Sequence, residues 1–142
     1  LIEEKDSNTI TEFTKYLDAN LPSLRRAPMV FTSAAEGLRV RELLNVVAQV
    51  AENYERELTD EELLSVFAVA DRMYHPKQTS MRKYKKRNAG LKSLTQVKSR
   101  PPHFLFRAKY PKDVPQAIID VIERELREQY DFGGVKIIIE VA

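Results

Sequence analysis

The 142-residue sequence contains no cysteine and no tryptophan, and only four glycines. Without cysteine the chain cannot form disulfides, use a thiol nucleophile or bind zinc through thiolates. Long hydrophobic runs are also missing, since the apolar stretches span a few residues and a membrane helix needs about 20. With 43% hydrophobic and 31% charged residues, the composition predicts a globular protein without a membrane partner.

Acidic residues are absent from one long stretch of the chain. Between Arg72 and Lys112 there are 13 lysines and arginines and no aspartate or glutamate, although the net charge of the whole chain is only +2. The rest of the chain carries 10 basic and 21 acidic residues. Such a concentration of one charge indicates a polyanionic partner. The competing interpretation is a solvated loop that offsets an acidic neighbouring domain.

The apolar periodicity predicts an α/β (α+β) chain in two units. Residues 1–56 follow the order α-β-α, with a short buried strand at 29–32 and a helix at 40–56. Residues 57–142 follow the order α-β-β-α-β, and the last strand is predicted at 135–141. Residues 103–110 alternate, which predicts a strand with Phe104, Phe106 and Ala108 on one face and Arg107 on the other. No Gly/Ser linker separates the two units, so we expect them to touch.

Three motifs predict where helices begin. Thr9–Glu12 and Thr59–Glu62 each have the capping-box pattern, in which a hydroxyl and a carboxylate satisfy each other's backbone amides. Asp113 is predicted to cap a helix that has Pro115 in its first turn. Gly133-Gly134 is predicted to end that helix.

Three segments of the sequence resemble a known family. Residues 27–34, APMVFTSA, followed by Gly37, resemble the last strand and the guanine-contacting loop of a translation-factor-type GTPase. Residues 95–104 and 126–134 resemble motifs of the KH-like domain at the C-terminus of the Der (EngA) family. Residues 73–92 depart from the family pattern, which is shorter and proline-rich.

The resemblance implies the end of a second GTPase domain at residues 1–56 and a complete KH-like domain at 57–142. It implies that Ser33 and Ala34 contact the guanine base, and that GTP and Mg²⁺ are cofactors of the parent protein only. The sequence contains no phosphate-binding Gly-x-x-x-x-Gly-Lys-Ser/Thr motif, so we expect no catalytic residue, cofactor or GTPase activity in this chain alone. A GTPase domain divided at this point would leave the apolar side of the 40–56 helix exposed.

The basic stretch supplies the candidate RNA-binding residues. Phosphate-rich RNA requires many cations at once, because each neutralised phosphate releases a counterion. The candidates are Arg82, Lys83, Lys85, Lys86, Arg87, Lys92, Lys98, Arg100, Arg107 and Lys109. The resemblance implies that ribosomal RNA in the precursor of the large ribosomal subunit is the partner, together with upstream GTPase domains. We expect a monomer in a bacterial cytoplasm or in an organelle with its own ribosomes.

Other function classes remain open on the sequence alone. The chain could be a standalone RNA-binding adaptor, or a protein-interaction module that uses its acidic part against a basic partner. A small enzyme is a third hypothesis, although no nucleophile–base pair can be assembled from the sequence. The two histidines, His75 and His103, lack companions at metal-ligand spacing, so no metal site is predicted.

Overall fold

The computed structural model describes residues 7–21, 27–74 and 89–142. Its elements are α1 (Ser7–Asn20), α2 (Val40–Glu55), α3 (Asp60–Tyr74), β1 (Leu91–Lys98), β2 (His103–Ala108), a 3-10 turn (Pro111–Asp113), α4 (Gln116–Gln129) and β3 (Ile138–Val141). This mixture of helices and strands confirms the predicted fold class. We refer to residues 57–142 as the C-terminal unit and to the described residues before them as the N-terminal segment.

A three-stranded sheet in the order β1-β2-β3 forms the centre of the C-terminal unit. β1 pairs antiparallel with β2, with Leu94 opposite Phe106, whereas β3 runs parallel to β2, with Ile139 opposite Phe104. Parallel neighbours require a crossover connection, and α4 lies in the connection between β2 and β3. α3 packs against both α4 and β1. The order of elements is therefore α-β-β-α-β, as predicted.

The hydrophobic core lies between the helices and one face of the sheet. The alternation predicted for β2 is confirmed, because Phe104, Phe106 and Ala108 are buried and Arg107 is exposed. The Phe104 ring meets the Phe132 ring edge-on, with centroids 5.9 Å apart. The other buried members of the core are Leu63, Val66, Ala70, Leu94, Ile118, Val121, Ile122, Leu126 and Ile137. Leu63 and Leu126 belong to opposite helices, so this core fastens α3 and α4 to the sheet.

The capping box predicted at the start of α3 is present. The backbone N–H of Thr59 donates to Glu62 Oε2 at 2.7 Å, and the N–H of Glu62 donates to Thr59 Oγ1 at 3.3 Å. These reciprocal bonds satisfy two amides that have no partner within the helix. The sequence therefore located this helix start correctly.

The other two predicted helix starts were wrong. α1 begins at Ser7, so Thr9 lies inside the helix. Asp113 lies in the 3-10 turn, where its N–H donates to the carbonyl of Tyr110, and Pro115 occupies the N-cap of α4. The end of α4 was also misplaced, because the helix ends at Gln129, before the two glycines. These motifs did not fix the helix boundaries, because serine, aspartate and proline are each common at more than one position near a helix start.

Two predicted strands differ from the structure. Residues 29–32 are not a strand, since only Ser33 and Leu38 form an isolated bridge there. No strand of the described sheet lies beside residues 29–32, so their backbone has no ladder to join. The last strand begins at Ile138 because Val135 is held in a turn, where its N–H donates to Phe132 and its carbonyl accepts from Arg127.

The apolar side predicted for α2 is solvent-exposed. Leu43, Leu44, Val47 and Tyr54 retain between 40% and 63% of their accessible surface. The N-terminal segment has a small cluster of its own, in which the Phe13 and Phe31 rings meet edge-on with centroids 6.1 Å apart. Within the described part of the chain, α2 therefore presents an apolar surface to solvent. None of the described helices combines the length and hydropathy needed to cross a bilayer.

Candidate nucleic-acid interface

Three of the predicted RNA-binding cations lie at one end of the sheet, which we call the basic end: Lys92, Arg107 and Lys109. Leu91 pairs with Ala108 and Ser93 pairs with Arg107, so Lys92 lies in a bulge beside the end of β2. The backbone N–H of Lys109 donates to the carbonyl of Gly90 at 2.8 Å, which holds the two strands together there. All three side chains are exposed, so they are available to phosphate groups.

Neighbouring contacts orient part of the basic end. The Lys109 ammonium lies 5.3 Å from the centroid of the Tyr110 ring, a cation–π arrangement that keeps the charge at the surface. The Tyr74 hydroxyl accepts a hydrogen bond from the N–H of Ala89 at 2.7 Å. Tyr110 also donates its N–H to Ala89. The end of α3 and the residues just before β1 therefore lie together, next to the basic end.

The other predicted cations fall elsewhere. Lys98 and Arg100 lie at the opposite end of β1, about 20 Å from Lys92 at the ordinary rise of a strand. The Arg100 guanidinium forms an ion pair with Glu55 of α2 at 3.0 Å. The remaining candidates lie outside the described residues: Arg82, Lys83, Lys85, Lys86 and Arg87. Their flanking residues, Tyr74 and Ala89, place the attachment points of this segment beside the basic end.

The loop that the family resemblance predicts to contact guanine is a closed turn, which we call the guanine loop (residues 33–38). Ser33 and Leu38 exchange two backbone hydrogen bonds, of 3.2 and 3.0 Å. Gly37 has a φ of +64°, a conformation that suits glycine. Ser33 is half-buried and Ala34 is exposed. α2 starts two residues after this turn, so the loop and the helix form one continuous structure.

A joint between α2 and the residues 131–134 connects the N-terminal segment to the C-terminal unit. Asn53 is only 1% exposed, and its side-chain N–H donates to the carbonyl of Gly133 at 3.1 Å. Gln49 donates to Asp131 Oδ2 at 2.7 Å, and Arg56 donates to the carbonyl of Asp131 at 3.1 Å. These polar contacts fix α2 on the C-terminal unit.

A glycine makes this approach possible. Gly134 has a φ of +76°, and a Cβ there would lie 2.8 Å from Val50 Cγ2 and 2.9 Å from Pro28 Cδ. Both distances are too short for a carbon–carbon contact, so any side chain at this position would push the two parts apart. A cavity of about 290 Å³ opens beside the contact and is lined by residues of the joint.

A second connection joins the residues between α2 and α3 to β1. The Gln96 side chain donates to the carbonyl of Arg56 and accepts from the N–H of Leu58, both at 2.8 Å. One amide side chain thus satisfies the backbone of the segment that joins the two units. The sequence patterns do not predict these contacts of Gln96 and Asn53 or the inter-unit role of Gly134. Only the glycine pair and the family motifs at 95–104 and 126–134 pointed toward these positions.

The acidic side chain of the joint has a perturbed pKa. The backbone N–H of Gly133 donates to Asp131 and holds the pKa of that carboxyl below its ordinary value of 3.8. Partial desolvation opposes this lowering of the pKa, whereas the contacts with Gln49, Asn53 and Arg56 add to it. A lowered pKa means that the contact stabilises the charged carboxylate. Its contribution is therefore fully present above about pH 4 and is lost as the pH falls through the lowered value.

This linkage predicts an acid-induced loosening of the joint. In an NMR titration from about pH 6 to 2, we expect the Gln49 side-chain amide and the Gly133 amide to shift together, with a midpoint below 3.8. The Asp131→Asn variant should lose this common step, because it has no carboxylate to titrate. A common midpoint at or above 3.8 would contradict the prediction.

His103 is a partly buried histidine that lies beside an acidic side chain. His103 Nε2 lies 3.3 Å from Glu140 Oε2 on the open face of the sheet, in an arrangement that does not meet hydrogen-bond geometry. His75 lies outside the described residues. Across residues 7–21, 27–74 and 89–142, no group of three or more histidine, cysteine or acidic side chains is arranged to hold a metal ion.

Comparison with known families covers the C-terminal unit. Residues 58–141 match the family described as "KH-domain-like of EngA bacterial GTPase enzymes, C-terminal". This match includes α3, α4, the three strands and the whole segment that carries the candidate cations. It confirms the resemblance noted in the sequence at 95–104 and 126–134.

Individual relatives extend the similarity to the N-terminal segment. The chain is 33% identical to "GTPase Der" of Caldanaerobacter subterraneus subsp. tengcongensis. The alignment of 138 residues covers 97% of this chain and 30% of that relative. The chain is 33% identical over 143 residues to "GTPase Der" of Caldicellulosiruptor saccharolyticus, covering 95% and 30%, respectively. The "GTPase Der" of Acaryochloris marina is also 33% identical, over 133 residues. The chain thus spans less than a third of the length of these relatives.

Proposed function

This chain belongs to the family of KH-domain-like C-terminal domains of EngA bacterial GTPases, and we propose that it is the RNA-binding part of a ribosome-assembly GTPase. The observation that carries the RNA-binding proposal is the basic end of the sheet. Three exposed cations converge there, and the most basic part of the sequence is attached beside them. Its proposed ligand is ribosomal RNA in a precursor of the large ribosomal subunit.

The proposed binding site comprises both the described and the remaining cations. Phosphate contacts with Lys92, Arg107 and Lys109 would supply the described part of the site, and residues 82–87 would add five further positive charges. Lys98 is proposed as a peripheral contact because it lies at the far end of β1. Arg100 is proposed to contact RNA only after it exchanges Glu55 for a phosphate.

The N-terminal segment has a different proposed role. We propose that residues 1–56 are the end of the second GTPase domain and that residues 57–142 are the KH-like domain. The exposed apolar side of α2 supports this division, because Leu43, Leu44 and Val47 would be covered by the rest of a GTPase domain. Ser33 and Ala34 would contact the guanine base, whereas the phosphates and Mg²⁺ would be bound by other parts of the longer protein.

Several properties of the whole protein follow as proposals. GTP and Mg²⁺ would be its cofactors, and its hydrolytic residues would lie outside this chain. The upstream GTPase domains and the ribosomal precursor would be its partners, and the protein would act as a monomer. Its site of action would be the bacterial cytoplasm or an organelle with its own ribosomes.

RNA binding by this chain can be tested with a salt series. In filter binding to a fragment of large-subunit ribosomal RNA, we expect log K to fall linearly with log salt, with a slope between about −3 and −6. This range corresponds to roughly four to eight neutralised phosphates. A flat salt dependence would contradict the proposal.

A pull-down distinguishes RNA binding from the alternative of a protein-interaction module. The chain would be used to capture ribosomal precursor particles with and without prior RNase treatment. We expect capture to be lost after RNase treatment, because the proposed contacts are to phosphates. Capture that survives RNase would favour a protein partner for the acidic part of the chain.

A further inference from the structure

The segments before and after the guanine loop both pack against Gly134 of the C-terminal unit. Pro28 lies five residues before Ser33, and α2 begins two residues after Leu38. A Cβ at Gly134 would meet both Pro28 and Val50 of α2 at less than 3.0 Å. The chain that enters the loop and the helix that leaves it therefore converge on the same point.

The C-terminal side of this contact is rigidly held. Arg127 donates to the carbonyl of Phe132 at 2.9 Å and to that of Val135 at 3.2 Å. The Phe132 side chain is fully buried in the core, and the N–H of Gly133 donates to Asp131. The turn that carries Gly134 therefore has a fixed position relative to α4 and the sheet.

The N-terminal side transmits that position along a helix. Val50 and Asn53 lie in the second half of α2, and the helical hydrogen bonds connect them continuously to its first residue, Val40. Asn53 is buried, and both ends of its amide are used, since it donates to Gly133 and accepts from Arg56. A displacement at Val50 would consequently reach Val40 and, two residues earlier, the guanine loop.

We infer that Gly134 is a positioning residue for guanine recognition: through its contacts with Pro28 and Val50, the C-terminal unit sets the geometry of the loop at 33–38. The inference rests on the proposed function, since it assumes that this loop contacts the base. It goes further by assigning to the RNA-binding unit a role at the nucleotide site. Because coupling between sites is reciprocal, nucleotide binding would also favour this docked arrangement.

The first experiment measures docking in this chain. It has no native cysteine, so the variants Ala48→Cys and Glu128→Cys provide the only two thiols for spin labels, one on α2 and one on α4. Pulsed EPR should give a single narrow distance distribution, which Gly134→Ala should broaden or shift. Gly90→Ala is the matched control, since Gly90 also has a positive φ but its added Cβ meets Lys109, away from the joint.

The second experiment measures nucleotide binding in the full-length protein that carries this chain, with the nucleotide site of its first GTPase domain inactivated so that only the domain that ends in this chain is measured. We expect Gly134→Ala to weaken GDP binding by about 5- to 150-fold and to reduce the selectivity for GDP over ADP. Selectivity is the informative quantity, because a merely structural defect would not change the preference for one base. Gly90→Ala is the control here, since Gly90 has a positive φ and its added Cβ meets Lys109, away from the joint.

The outcomes separate the inference from the proposed function. If the unmodified protein does not prefer GDP to ADP, the guanine assignment of the loop fails before any variant is considered. If Gly134→Ala disturbs docking and leaves GDP affinity and selectivity unchanged, the positioning role is wrong. Should Gly134→Ala fail to fold, Asn53→Ala tests the joint from α2 and leaves the 131–134 turn intact. Unchanged docking and selectivity in that variant would also overturn the inference.

Discussion

Replacing Leu63 by alanine is expected to lower the free energy of unfolding by about 2–5 kcal/mol, which is the usual cost of truncating a buried leucine. Leu63 is 2% exposed and belongs to the core between α3, α4 and the sheet. Truncation removes its apolar contacts and leaves a cavity that the packed neighbours cannot fill. The measurement is chemical denaturation of the chain followed by far-ultraviolet circular dichroism.

The adjacent residue provides a matched control. Leu64 has the same side chain in the same helix but is 65% exposed. The Leu64→Ala variant is expected to change the unfolding free energy by less than about 0.5 kcal/mol, as is usual at the surface. Equal losses in the two variants would mean that α3 does not present the face described here to the core.

Replacing Lys92, Arg107 and Lys109 together by serine is expected to weaken RNA binding by about 10- to 100-fold at low salt. The salt slope should become shallower by about 2–3 units, because each lost phosphate contact removes nearly one released counterion. The three residues converge at the basic end of the sheet, so the substitution removes a local site. The measurement is the filter-binding salt series on the triple variant and the unmodified chain.

The control removes three positive charges elsewhere. Lys15, Arg41 and Lys136 are also exposed, and their replacement by serine changes the net charge by the same amount. We expect this variant to retain most of the affinity and nearly the full slope, since its cations lie away from the basic end. Similar losses in the two variants would show that RNA responds to overall charge and not to a site at this end.

Elements with strong local patterns were predictable from the sequence. The alternation of Phe104, Leu105 and Phe106 identified both β2 and its buried face, because side chains on successive strand residues point to opposite sides. The Thr59–Glu62 box located the start of α3 since its two hydrogen bonds lie within four residues. In both cases the determining interaction is local in the sequence.

Elements that depend on distant partners were predicted less well. Residues 29–32 have the composition of a buried strand, but a strand requires a neighbour with which to pair. The last strand starts later than its hydrophobic pattern suggested because Arg127, on α4, holds Phe132 and Val135 in a turn. Periodicity contains no information about such contacts.

The candidate sites also combine features that local sequence patterns predict with features that depend on distant contacts. Charge counting identified the basic stretch, yet it could not show that Lys92, Arg107 and Lys109 share one end of the sheet while Arg100 pairs with Glu55. By its local pattern, the glycine pair at 133–134 predicts only a helix break. In the structure Gly134 instead permits the close approach of Pro28 and Val50, which lie more than 80 residues earlier in the chain.

Composition, short motifs and periodicity are sufficient to predict the mixed α/β class, the family resemblance and the location of the positive charge, because they are properties of neighbouring residues. The folded chain is needed to show which cations converge, that α2 leaves its apolar side exposed, and how Gly134 and Asn53 join the two units. These features depend on contacts between residues distant in the chain. Such contacts form only when the core between α3, α4 and the sheet brings those residues together.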